Sequence, residues 1–141
     1  MVDYGPEGTF DAIFVIYSHL GFSYCAFHAV VSKLIKALRP NGLLAIAQSV
    51  ADDVPGDDPA WDRTRMYVEG YNLPFWDEPV ATLMFTHGGQ KVWLESMGLK
   101  WCMTMLGSFS RAHEECDPEH QQYVVVRRRG EADVSEPRPL P

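Results

Sequence analysis

One punctuated passage near the start of the chain limits the possible folds more than any other. Phe10-Asp11-Ala12-Ile13-Phe14-Val15-Ile16-Tyr17 is nearly unbroken apolar and rich in β-branched and aromatic residues. A continuous apolar run bounded by turn residues predicts a strand buried on both faces; strict alternation would predict a half-exposed one. Ser18-His19-Leu20-Gly21 breaks the run, and from Phe22 to Leu38 the spacing becomes helical. Ala26, Val30, Leu34 and Ala37 form one stripe, with Phe27, Val31, Ile35 and Leu38 beside it. So wide an apolar arc needs cover beyond a single sheet contact. Arg39 suits a helix C-terminus, Pro40 cannot continue the helix, and Asn41-Gly42 offers a left-handed turn. Leu43-Leu44-Ala45-Ile46-Ala47 then reads as a second buried strand. Strand, helix, turn, strand is a βαβ unit, which implies a parallel sheet with a right-handed crossover.

The rest of the chain must complete that sheet. With 141 residues, 46% of them apolar, there is material for one α/β domain over residues 1–129. Between Ser49 and Phe85 the periodicity dissolves into an acidic loop (Asp52, Asp53, Asp57, Asp58) and a segment dense in aromatics. Residues 50–86 are therefore read as a packed lid, partly helical near Trp61–Glu69. A second helix is predicted over Gly88–Met97, capped by Gly98, and Leu99–Met105 alternates as a strand. Ser110–His120 reads as a polar loop, Tyr123–Arg127 as a last strand, and residues 130–141 as a disordered Pro-rich tail. The expected order is β-α-β-lid-α-β-β with about four strands in the sheet.

Charge narrows the partners. Twelve Lys and Arg against nineteen Asp and Glu give a net charge of −7, which repels phosphate backbones and anionic lipid, so neither nucleic acid nor membrane is expected. The start of the chain, MVDYGPEGTFD, has no basic and apolar leader pattern. The three cysteines form no CxxC, so a cytoplasmic protein without a disulfide framework or zinc site is expected.

In this order and at these distances, three short passages resemble the C-terminal half of class I S-adenosylmethionine-dependent methyltransferases. Phe10-Asp11-Ala12-Ile13 with Ser18-His19-Leu20 is similar to the start and polar end of that family's fourth strand. Leu38-Arg39-Pro40-Asn41-Gly42-Leu43-Leu44 is similar to its turn into the fifth strand, with Asn41 replacing a glycine. Trp93-Leu94-Glu95-Ser96-Met97-Gly98-Leu99 is similar to its passage from the last helix into the following strand. The resemblance spans residues 10–129 and implies a partial Rossmann-like methyltransferase sheet. It lacks the family's Gly-rich first turn and the carboxylate that holds the cofactor ribose. No GxGxG occurs in the chain, so weak or absent S-adenosylmethionine binding is expected of it alone.

By that resemblance, Tyr17, Ser18 and Leu20 would line the cofactor, and His19 could take a proton from a substrate hydroxyl or amine. The plainer reading of His19 is a histidine that caps a strand end. Tyr67, Tyr71, Phe75 and Trp76 are candidates for a substrate-stacking wall, or else a hydrophobic plug that holds the lid down. His87 fits a helix entry, and Asp52 and Asp53 fit a solvated acidic face. His113, Glu114, Glu115, Cys116 and His120 lack a defined zinc spacing, so no metal is expected.

Two other readings stay open: a cofactor-independent isomerase or cyclase on this scaffold, and a non-catalytic protein that binds a partner. In the complete family fold the fourth strand pairs with the first. Asp11–Tyr17 is therefore expected at a sheet edge, mediating a homodimer or a heterocomplex. The helix over Phe22–Leu38 is expected to lack a neighbour for the same reason.

Overall fold

The computed structural model describes residues 10–75, 78–109 and 119–129. The strands and helices are β1 (Phe10–Ile16), α1 (Tyr24–Ala37), β2 (Leu38–Ser49), β3 (Tyr67–Phe75), β4 (Glu78–Phe85), α2 (His87–Ser96), β5 (Leu99–Phe109) and β6 (Glu119–Arg128). The fold is α/β. A four-stranded sheet runs in the order β1-β2-β6-β5, with β1 and β2 parallel and the other pairs antiparallel. The βαβ unit is present as expected. Asn41 takes a positive φ of 67° inside β2, where the register against β1 shifts between Leu38 and Leu43, and Gly98 takes one of 80° after α2.

The lid expectation needs correcting. Trp61–Glu69 is not helical: β3 and β4 form an antiparallel hairpin, entered by a turn built on Asp62. The Asp62 carboxylate accepts from the backbone N–H groups of Thr64, Met66 and Tyr67 at 2.8–3.2 Å. Burial alone would raise this carboxyl, but the bonds from Thr64, Tyr67 and Met66 together hold it below its ordinary value. Local side-chain bonding of this kind gives the backbone an alternative to a helix.

The hairpin is fastened to the turn after β1 and to α1: Leu83 N–H donates to the Leu20 carbonyl at 2.9 Å, and Tyr24 N–H donates to the Glu69 carboxylate at 3.0 Å. At the base of the hairpin its two ends are joined by Thr86 N–H, which donates to the Met66 carbonyl at 2.9 Å. Gly89 is required where α2 passes this junction. A Cβ there would stand 2.1 Å from the Met66 carbonyl oxygen.

Helix α1 also departs from expectation, because it does not lack a neighbour. Tyr24, Phe27, Val30, Val31, Leu34 and Ile35 are buried in one core with Phe85 of the hairpin and Trp93 of α2. Phe27 and Phe85 both pack on Trp93, with ring centroids 5.4 and 4.5 Å away. His28 and Ser32 are buried too, and His28 Nδ1 accepts from the Trp93 indole at 3.0 Å.

Both helices lie on one face of the sheet. Strand register puts Val15, Ile46, Val124 and Thr104 in one row across all four strands, and Ile13, Leu44, Val126 and Trp101 in the next. These rows face α1 and α2, and Val15, Leu44, Ile46, Val124 and Val126 are 0–2% exposed. The opposite face carries the rows Phe14-Ala45-Val125-Met103 and Ile16-Ala47-Tyr123-Met105. No described element packs over it: Phe14 is 71% exposed, Ile16 49%, Met103 and Met105 53% each. Among the described residues β1 is also an edge, paired to β2 alone. No described helix is long and apolar enough to cross a membrane.

Candidate functional site

The end of β1 and the turn after it hold the residues singled out for the cofactor. Tyr17 adopts φ 49° and donates its N–H to the Ala47 carbonyl at 3.1 Å, which turns the chain off the strand. Ser18 is left exposed, and Tyr17 and Leu20 are half-buried. The carbonyls of His19 and Leu20 are taken by Phe22 N–H and Leu83 N–H, both at 2.9 Å. The turn is thus fixed in shape from both sides.

His19 itself points into the protein. It is fully buried and stacks on Phe27, with ring centroids 4.3 Å apart and planes 12° from parallel. Burial drives its pKa down to about 4, against an opposing hydrogen-bonding influence from the Gln48 side chain. The ring is therefore neutral at neutral pH. It can accept a hydrogen bond, but it is a much weaker base than a free histidine.

The residues read as one aromatic wall are separated. Tyr67 stacks on Tyr24 at 4.5 Å and 9° in the main core, and burial followed by the charges of Asp62 and Glu69 pushes its hydroxyl pKa up to about 12. After a register shift at Gly70, Tyr71 packs instead against a second cluster of Ala51, Val54, Val68 and Met84. It also borders a cleft of about 480 Å³ with Asp58, Glu69 and Asn72. Trp76 and the side chain of Phe75 lie outside the described residues, as do residues 110–118 and the tail at 130–141.

The turn between β1 and α1 joins a parallel strand to a helix, which is where a cofactor's anionic group would seek free N–H groups. That helix N-terminus is already satisfied: the Ser23 hydroxyl accepts from Ala26 N–H at 3.2 Å, and Glu69 brings a carboxylate to Tyr24 N–H. A second anion would be repelled there. The described residues around this turn do not by themselves fit S-adenosylmethionine.

Spacing in the sequence did not reveal a second constellation. Asp53 and His120 are 67 residues apart, yet the His120 imidazole Nδ1 lies 2.7 Å from the Asp53 carboxylate. Asp52 accepts the backbone N–H of His87 at 2.9 Å. All four residues border a cleft of about 500 Å³ at the end of the sheet where β2 finishes and β6 begins. Among the described residues no group of three or more His, Cys, Asp and Glu side chains is placed to hold a metal.

No family profile and no curated protein matches the sequence. Solved structures do match. An S-adenosylmethionine-dependent methyltransferase from Methanosarcina mazei superimposes with a TM-score of 0.64 at 8% identity, over 88% of this chain and 61% of its own. The 1,6-didemethyltoxoflavin-N1-methyltransferase of Burkholderia thailandensis, solved with its namesake ligand and S-adenosylhomocysteine, gives 0.58 at 13% identity, over 91% and 48%. The N-methyltransferase NodS of Bradyrhizobium japonicum gives 0.54 at 13%, over 91% and 56%. At such identities the likeness shows the fold: this chain has the Rossmann-like sheet of methyltransferases. It spans only about half to three fifths of their length.

Proposed function

We propose that this chain is the C-terminal half of a small-molecule methyltransferase dependent on S-adenosylmethionine and acting in the cytoplasm. A Gly-rich β-α-β half, carried on another stretch of polypeptide, would complete it. The observation that carries this reading is the uncovered sheet face. Parallel strand pairs occur almost only in sheets covered on both faces. Here Phe14, Ile16, Met103 and Met105 stand about half exposed or more on one side of such a pair and its neighbours. Covering them is worth roughly 1 kcal/mol each or more, a sizeable part of a typical total of about 5–15 kcal/mol. The structural neighbours are longer than the stretch this chain matches, so a segment of suitable size exists in that fold.

In this reading the completing half adds its first strand beside β1, lays its helices over the Phe14 and Ile16 rows, and brings the groups that grip the cofactor. Tyr17, Ser18 and Leu20 line the cofactor from this side. His19 stands behind them, buried against Phe27, and fixes the turn that carries them, while Tyr67 and Tyr71 hold the substrate-side hairpin in place. The chemistry would be in-line transfer of a methyl group to a nucleophilic oxygen, nitrogen or carbon, with positioning and exclusion of water as the protein's main contribution.

Calorimetric titration with S-adenosylmethionine tests the proposal on two samples. One is the 141-residue chain alone; the other is the chain co-expressed with a Gly-rich half from the flanking coding sequence. The chain alone should give no saturable heat, and the pair should bind and elute as one species. Submicromolar binding by the isolated monomeric chain, or no binding by a pair that does assemble, would overturn it.

A further inference from the structure

Consecutive arginines stand at the end of β6, and alternation along the strand sends Arg127 and Arg128 to opposite faces of the sheet. On the sealed face, Arg128 donates to the Lys36 carbonyl at 3.2 Å and to the Leu38 carbonyl. It thereby caps the end of α1, where carbonyls lack helical partners and the helix dipole is negative. α1 ends at this place because it leaves the end of β1 and returns to the start of β2, so it runs antiparallel to both strands.

On the open face, Arg127 stands directly opposite Lys100 in the row Ala12-Leu43-Arg127-Lys100. The next row along is the apolar Phe14-Ala45-Val125-Met103. Lys100 and Arg127 are exposed, and neither has an ion-pair partner among the described residues. Asp11, at the same end of β1, is taken by Arg39 at 3.0 Å. Like charges directly opposite one another weaken a strand pair. The chain carries that cost at the margin of its uncovered apolar face.

We infer that Lys100 and Arg127 anchor the C-terminal ends of the helices that cover the open face, and so fit a partner whose covering helices finish above this row in free carbonyls and acidic side chains. The anchor presupposes that the chain is one half of a larger fold, and it adds the direction and the chemistry of the cover. Direction follows from handedness. Parallel strands added beside β1 and wound away from it return by right-handed crossovers, which puts their helices on the face opposite α1. Such helices run antiparallel to β1, as α1 does, and finish where Lys100 and Arg127 stand. The open face then repeats with these two residues what the sealed face does with Arg128. An anionic membrane is the weaker occupant, because the net charge of −7 repels it.

Two isomeric amphipathic peptides of about five helical turns serve as probes, each held helical by the same hydrocarbon staple and carrying the same leucine face. One has a run of glutamates in its last turn, the other in its first. Each is titrated into the full chain while the methionine methyl signals are followed by NMR. Both should shift the exposed Met103 and Met105 and leave the buried Met84 and Met97 unmoved. The peptide with the acidic last turn should bind about three- to tenfold tighter, the combined scale of two exposed ion pairs and a helix end. Lys100→Gln combined with Arg127→Gln should keep the thermal midpoint and abolish that preference. Equal affinities, a preference that survives the double variant, or no shift at Met103 with either peptide would overturn the inference. Binding of the chain to phosphatidylserine vesicles that the double variant loses would overturn it too, by making the row a lipid contact. The peptides carry no cofactor site, so the anchor and the S-adenosylmethionine titration can fail separately.

Discussion

The two faces of the same four-stranded sheet are both apolar, and they have opposite fates. On one, Val15, Leu44, Ile46 and Val126 are sealed under α1, α2 and the β3–β4 hairpin. On the other, Phe14, Ile16, Met103 and Met105 lie open. Alternation along a strand normally separates apolar from polar, so a sheet apolar on both sides is built to be a middle layer. The sealed face explains how the chain holds its shape, and the open face is the surface that the proposed completing half would cover.

The sharpest contrast comes from truncating one residue on each face. Leu44→Ala should cost about 2–5 kcal/mol in urea unfolding, because it opens a cavity in a closed core. Phe14→Ala should change the isolated chain by less than about 0.5 kcal/mol. A large Phe14 effect would mean that the open face is covered in solution by another copy.

At the hairpin junction, Gly89→Ala should cost about 3 kcal/mol, since its Cβ would meet the Met66 backbone carbonyl and not a flexible side chain. Near-normal stability would show that the hairpin can slide on α2, and that the sealed face is less rigid than described.

The pH dependence of stability probes the end of the sealed face. His19 has a folded pKa of about 4 against an unfolded value of 6.5. The unfolded state therefore takes up the proton first as pH falls. The stability this burial allows is intact above pH 6.5 and drains away between 6.5 and 4, by roughly 3 kcal/mol at most. His19→Gln should flatten that slope when unfolding is compared at pH 7 and pH 5. An unchanged slope would place the acid sensitivity elsewhere.

Smaller in energy but direct in meaning, Phe14→Lys combined with Met103→Lys should remove any concentration-dependent association of the isolated chain in sedimentation velocity, with little change in its unfolding midpoint. Association that survives both charges would route self-contact through a different surface.

The βαβ unit, α2 and the pair β5–β6 were legible because their apolar periodicity is set by burial, and the turns between them carry Pro, Asn and Gly where the backbone needs them. The edge position of β1 followed from the resemblance and agrees with its pairing, among the described residues, to β2 alone. The hairpin was not legible. Gly70 and Pro74 interrupt the alternation of β3, and the Asp62 turn is held by side-chain bonds that no periodicity records. The cover over α1 was missed because it comes from Phe85 and Trp93, more than 45 residues away in sequence. The Asp53–His120 pair was hidden for the same reason: each residue, taken in its own loop, looks like solvated surface.

Methionine footprinting tests the central claim most directly, because nature has placed a methionine pair on each side of the contrast. Met103 and Met105 are 53% exposed on the open face, whereas Met84 and Met97 are 1–2% exposed inside. Mild peroxide treatment of the isolated chain should oxidise the first pair and spare the second. In the assembly with a Gly-rich half, Met103 and Met105 should become as protected as Met84 and Met97. An assembly that binds S-adenosylmethionine while Met103 and Met105 remain fully reactive would contradict the account.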